Sequence, residues 1–109
     1  MGGHCRRGNL ANWRGRTGDI AGAATALQRL LPDMVRVLGP DHPYTFHTRS
    51  DLANWQGKAG DAAGAATTLQ KLLADRMRVL GPNHPNTLNT RSDLAYWRGI
   101  AGEEGETAP

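Results

Sequence analysis

The chain has 109 residues, 39% of them hydrophobic, and a formal net charge of +3 at pH 7. This length predicts one domain with a modest core. The basic residues are spread along the chain, which argues against nucleic-acid binding. The single cysteine, Cys5, cannot pair within the chain and favours the cytoplasm. We expect neither a secretory signal nor membrane association, because no apolar stretch follows the charged N-terminus or approaches the roughly 20 residues that cross a bilayer.

An internal repeat dominates the sequence. Of the 42 residues from 10 to 51, 29 recur unchanged at 52 to 93. A third copy starts at residue 94, where LAYWRGIAGE corresponds to LANWRGRTGD and LANWQGKAGD of the earlier copies. Self-similarity at a fixed period predicts stacked units, each of which buries its apolar side against its neighbours.

The pattern predicts about five helices and no strand, at roughly 5–15, 20–38, 43–57, 62–80 and 85–99. The third helix begins at Pro43, since proline is tolerated at the first helical position. Its N-cap is predicted to be either Thr45 or Asp41.

The fourth predicted helix places alanines and leucines at spacings of three and four, with Asp61 as N-cap and Gly81-Pro82 as its end. Gly64, which recurs as Gly22, predicts close packing by a partner helix. The sequence therefore predicts a helical repeat domain over residues 1–102, with units of about 1–38, 39–80 and an incomplete 81–102. Residues 103–109 lack apolar residues at packing positions and are predicted to be a disordered tail.

These features resemble the tetratricopeptide repeat. The Leu-Ala pair at 52–53, Gly-Asp at 60–61 and the leucines that follow have its spacing, and LGPxHPxT at 38–45 and 80–87 is similar to the kinesin-light-chain-like branch and its 42-residue units. Related arrays are frequent in bacterial regulatory proteins. The resemblance implies an all-α solenoid of antiparallel helix pairs, here two and a half repeats.

The resemblance also implies a function, the binding of a peptide or protein segment on a concave surface lined by the first helix of each pair. The positions that would face this ligand are polar, and the copies differ at 47/89 and 54/96. They are Asn12, Arg16, His47, Ser50, Asn54, Lys58, Asn89, Ser92 and Tyr96. The leading hypothesis is thus a non-catalytic interaction module.

A second hypothesis is self-assembly into a homodimer or a larger oligomer. The last predicted helix has no second helix after it, so its apolar residues Leu88, Leu94, Ala95 and Trp97 are expected to be uncovered. A third is that the chain is a truncated regulatory array of a larger signalling ATPase or transcription regulator.

Other repeated residues favour structural roles. Trp13, Trp55 and Trp97 recur in phase and are expected to pack between helices. Arg49 and Asp51, repeated at 91 and 93, are expected to take part in solvated or inter-repeat ion pairs, with an anion site as the alternative. The linker histidines, His42 and His84, have no further ligands at metal-binding spacing, and no nucleophile–base arrangement or phosphate loop is evident. We therefore expect no metal, no cofactor and no enzymatic activity.

Overall fold

Four helices make up most of the chain. The computed structural model describes residue 13 and residues 15–105, with residues 103–105 described by their backbone alone. The helices are α1 (Ile20–Leu38), α2 (Pro43–Lys58), α3 (Ala62–Leu80) and α4 (Pro85–Gly105). No strand occurs in this part of the chain. The short connections between the helices make consecutive helices antiparallel neighbours.

The predicted helix bounds agree closely for α1, α2 and α3, whereas α4 is longer than predicted. It continues past residue 99 to Gly105, and Ile100 and Ala101 pack against the core of the second unit. The predicted tail over 103–109 therefore overlaps the end of α4, and residues 106–109 lie outside the described residues. The predicted first helix, 5–15, also lies mostly outside them, although residues 13, 15 and 16 are helical.

α1 and α3 begin with the same aspartate cap. Asp19 Oδ1 accepts a hydrogen bond from the Gly22 amide at 3.0 Å, and Asp61 Oδ1 accepts one from the Gly64 amide at 2.9 Å. A Cβ atom on Gly64 would collide with the Asp61 carboxylate. Gly64 therefore leaves room for the cap, a role that the expectation of close helix packing did not include.

α2 and α4 begin with a histidine cap. His42 Nδ1 accepts a hydrogen bond from the Tyr44 amide, and His84 Nδ1 accepts one from the Asn86 amide, both at 3.1 Å. Neither predicted cap of α2 has that role. The Thr45 hydroxyl donates to the Gly39 carbonyl at 2.9 Å, and Asp41 pairs with an arginine of α3.

Two apolar clusters hold the helices together. One joins α1 to α2 and contains Ala23, Leu27, Leu30, Met34, Leu52 and Trp55. The other joins α2, α3 and α4 and contains Phe46, Ala53, Ala62, Ala65, Leu69, Leu72, Leu94 and Trp97. Both clusters cross from one unit to the next, as in a stacked repeat.

A tryptophan–glycine contact recurs between units. The Trp55 ring lies against Gly15, where an added Cβ would stand 2.7 Å from ring carbons, and Trp97 lies against Gly57 in the same way. Both tryptophans are buried, whereas Trp13 is 63% exposed. Trp55 and Trp97 therefore each pack onto the first helix of the preceding unit. Gly99, the next glycine in the series, has no described atom within 4 Å of its Cβ position.

Candidate functional site on α2 and α4

The predicted ligand-facing residues form a row on each of two helices. His47, Ser50, Asn54 and Lys58 follow spacings of three or four residues and so lie along one face of α2. His47 and Lys58 are exposed, and Ser50 and Asn54 are half-buried. Asn89, Ser92 and Tyr96 form the equivalent row on α4, and all three are exposed. We call these two rows together the ligand face.

The Trp97 ring lies against Gly57, so α2 and α4 meet at a point next in sequence to Lys58 of one row and Tyr96 of the other. Arg16, the first-unit counterpart of Lys58, is exposed beside Gly15, which packs on Trp55. Asn12 lies outside the described residues. The described residues of the predicted ligand-facing set therefore occur in successive units, with Arg16 in the first unit, one row on α2 and one row on α4.

The side chains of the ligand face combine polar groups with aromatic rings. His47 Nε2 is 3.3 Å from Asp51 Oδ2, and Lys58 Nζ is 4.7 Å from the centre of the Trp55 ring. The Tyr96 ring meets the Trp97 ring edge-on, with 4.9 Å between their centroids. Exposed amides, a phenol and an imidazole are suited to hydrogen bonding with the backbone of a peptide.

The residues predicted for self-association separate into two pairs. Leu88 is 45% exposed and Ala95 is also exposed, but Leu94 is 4% and Trp97 is 7% exposed. The expectation that Leu94 and Trp97 are uncovered is wrong, because both face back onto the second unit and belong to its core. The apolar patch on α4 is correspondingly smaller than predicted.

Arg49 forms an ion pair within its own unit rather than with a neighbouring unit. Arg49 Nη1 contacts Asp75 Oδ2 at 2.8 Å, which ties α2 to α3. Arg78 Nη2 contacts Asp41 at 2.8 Å and Asp75 at 3.6 Å, and its hydrogen bond holds the pKa of Asp41 below the ordinary value. Arg49 thus has the structural role that was weighed against an anion site.

Arg76 is a buried arginine whose role was not predicted from the sequence. Its Nη1 donates to Thr90 Oγ1 at 2.7 Å, and its guanidinium lies 5.7 Å from the centre of the Phe46 ring. Burial lowers the pKa of Arg76, and burial also raises the pKa of Asp93, an effect that the charge of Arg76 partly offsets. The first unit has Met34 at this position, and Met34 is also buried. The only sign of this site in the sequence is therefore a change from an apolar to a charged residue between two copies of the repeat.

The described residues also bear on metal binding and on membrane insertion. No group of three or more His, Cys, Asp or Glu side chains there is arranged to hold a metal ion. None of the helices described above is long and apolar enough to span a membrane. His42 and His84 serve as the helix caps reported above.

Known proteins resemble the chain in sequence and in fold. The family profile described as tetratricopeptide repeat matches residues 6–76. The crystal structure of nearly identical TPR-like repeats, from a Podosopora anserina protein assigned as a kinesin light chain, superposes with a TM-score of 0.79 at 21% identity. A substituted form of that protein gives a TM-score of 0.80, also at 21% identity. Each alignment covers 90% of this chain and 46% of the other, so this chain spans about half the length of those proteins. No curated protein matches the sequence.

Proposed function

The chain belongs to the tetratricopeptide repeat family, and on that basis we propose that it is a non-catalytic module that binds a protein or peptide segment along the ligand face of α2 and α4. In this proposal the ligand face is the concave side of the stack. Repeats of this type generally mediate protein–protein interactions, and a surface of several helices accommodates a longer segment than one helix could.

The observation that supports this proposal most directly is the contrast between the ligand face and the tryptophan–glycine contacts. His47 corresponds to Asn89, and Asn54 corresponds to Tyr96, so two positions of the ligand face change their chemistry from one copy to the next. The tryptophans and the glycines beneath them do not change. A fixed scaffold that presents varied polar groups is suited to reading a specific segment.

The proposed chemistry of binding follows from the side chains. Asn54 and Asn89 each offer an amide donor and acceptor to the ligand backbone, and Tyr96 offers a large exposed ring with a hydroxyl. His47 and Lys58 add groups that favour a ligand carboxylate. We therefore expect an extended ligand with an acidic residue near α2.

Self-association through α4 has less support than ligand binding. Two of the four residues on which it was based, Leu94 and Trp97, are buried within the chain. Leu88 and Ala95 remain exposed and leave a smaller apolar surface on α4.

A displayed library of random peptides, selected on the wild-type chain, tests the proposal. Enriched peptides should bind the wild type and lose about tenfold or more in affinity for the Asn54→Ala/Asn89→Ala variant, because hot-spot contacts of about 1.4 kcal/mol or more carry most of such binding. Both substitutions are at accessible positions, so the variant should keep the wild-type circular dichroism spectrum.

The matched control is Gln28→Ala/Gln70→Ala, which removes two exposed amides from α1 and α3. It should bind the enriched peptides as the wild type does. Equal binding by all three proteins would exclude the ligand face, and so would a selection that enriches no peptide.

A further inference from the structure

One face of α4 is exposed although the same face of α2 is covered. On α2, Phe46 is 2% exposed and Ala53 is fully buried against α3. Their counterparts on α4 are Leu88 and Ala95, both exposed. Arg91 and Arg98 are exposed beside them, and we call these four residues the open face of α4. No helix covers it within the described part of the chain.

The covered copy shows which apolar pattern fits this surface. α3 contributes Ala62, Ala65, Leu69 and Leu72 to the cluster that contains Phe46 and Ala53, as a stripe of two small and two large residues at spacings of three, four and three. Small residues in such a stripe allow helix backbones to approach closely, and the leucines add apolar area to the cluster. Since the backbone of α4 presents the same kind of face, an amphipathic helix with this stripe fits it.

Polar contacts fix the register of that helix. Arg49 pairs with Asp75, and the Thr68 hydroxyl donates to Gln56 Oε1 at 2.8 Å, so α3 runs antiparallel to α2. The counterparts of Arg49 and Gln56 are Arg91 and Arg98. The open face therefore carries a cation at both positions. A complementary helix would carry carboxylates at the positions of Thr68 and Asp75, two helical turns apart.

The same charges disfavour a second copy of α4 as the occupant. Antiparallel pairing of two such helices about Ala95 would place Arg91 of one copy opposite Arg98 of the other. Like charges at close range are repulsive and suppress that pairing. The open face thus favours a helix of opposite charge.

We propose that the open face of α4 docks an acidic amphipathic helix of a partner protein. The apolar side of this helix repeats the Ala–Ala–Leu–Leu stripe of α3, and two carboxylates on it pair with Arg91 and Arg98. The open face is distinct from the ligand face, so this proposal goes beyond the function proposed above and can succeed or fail independently of it.

Two labelled peptides serve as probes, each titrated with the full chain and followed by fluorescence anisotropy at low salt. One has the sequence of residues 61–81 with the exposed Lys71 and Arg78 replaced by glutamine, so that two aspartates outnumber one arginine, and the other carries Thr68→Glu in addition. We expect saturable binding with a Kd on the order of 10–100 µM. The Thr68→Glu peptide should bind about threefold more tightly because it adds an exposed ion pair, and Arg98→Gln in the protein should remove this gain.

Variants of the open face provide the decisive comparison. Ala95→Glu should weaken both peptides about tenfold or more, and Arg91→Glu should weaken the peptide of residues 61–81 about fivefold. Asp75→Arg in that peptide should restore its binding to the Arg91→Glu protein. All these protein positions are exposed, so circular dichroism should show unchanged folding.

The ligand-face variant Asn54→Ala/Asn89→Ala is the control and should bind both peptides as the wild type does. The proposal is overturned if neither peptide saturates below about 1 mM, or if Ala95→Glu binds them unchanged. It is also overturned if sedimentation equilibrium shows a wild-type dimer that Ala95→Glu dissociates, since a second copy then occupies the open face.

Discussion

At the scale of single residues, equivalent positions of the repeat show how surroundings decide a residue's role. Gly57 and Gly99 are both helical glycines at the same phase, yet the Trp97 ring covers the first and none of the described atoms lies within 4 Å of the Cβ position of the second. Met34 and Arg76 are also equivalent, and both are buried. Such pairs act as internal controls because the backbone is nearly constant while the neighbours differ.

Alanine at Gly57 and alanine at Gly99 should change the free energy of unfolding in opposite directions. Gly57→Ala should lower the free energy of unfolding by about 1–3 kcal/mol, because the new methyl group collides with the Trp97 ring. Gly99→Ala should raise it by up to about 1 kcal/mol through helix propensity alone. Urea denaturation of the two variants checks this, and equal effects would show that the tryptophan–glycine contact does not stabilise the stack.

Arg76 offers a second comparison. Arg76→Met introduces the residue that the first unit has at this position, so the free energy of unfolding should stay the same or rise by about 1–2 kcal/mol. Arg76→Ala should lower it by about 2–4 kcal/mol, because it leaves a cavity beside Phe46. Thermal unfolding measures both. If Arg76→Met destabilises the chain as much as Arg76→Ala does, the hydrogen bond to Thr90 stabilises the fold more than apolar packing would.

Asp93 gives a prediction for pH dependence. Burial raises the pKa of Asp93 in the folded chain, so the carboxyl group holds its proton more tightly in the folded state than in the unfolded state. This contribution to stability is present below the unfolded pKa of roughly 3.9 and is lost as the pH rises through the folded pKa. Asp93→Asn should therefore gain stability relative to the wild type between about pH 3 and pH 7. A relative stability that falls over this range in urea titrations would contradict the assignment.

At the scale of helices, Gly-Pro and Gly-Asp pairs allowed most helix boundaries to be predicted. The features that were not predicted are the end of α4, the histidine caps and the effect of an internal proline. The end of α4 was missed because Ile100 and Ala101 pack on the neighbouring unit, and a tertiary contact of this kind leaves no local signal. The histidine caps were missed because serine, threonine and aspartate are the usual candidates. α1 also carries an internal proline, Pro32, where α3 has Ala74.

Pro32 should limit the stability of α1. It has no amide hydrogen to donate, and a proline in a helix interior costs about 3 kcal/mol relative to alanine. Both positions are exposed, so neither substitution removes packing. Pro32→Ala should raise the melting temperature, and Ala74→Pro should lower it. The account of α1 is wrong if far-ultraviolet circular dichroism shows Pro32→Ala melting below the wild type.

At the scale of the whole molecule, the repeat predicted the stack but not the direction in which each residue faces. Leu94 and Ala95 are adjacent in sequence, yet one is buried and the other exposed. A helical pattern with apolar residues on several sides does not distinguish the preceding neighbour from the following one. The ligand face was predicted by resemblance rather than from the residues, because polar residues on a helix surface have the same spacing whether or not they bind anything.

The central claim is that the ligand face of α2 and α4 binds a protein segment. The most direct test is a ¹H–¹⁵N NMR titration of the full chain with a peptide enriched in the selection described above. The account predicts chemical-shift changes concentrated at His47, Ser50 and Asn54 on α2 and at Asn89, Ser92 and Tyr96 on α4. The signals of α1 and of the exposed residues of α3 should stay largely unchanged. Changes confined to α1 and α3, or to the open face of α4, would contradict it.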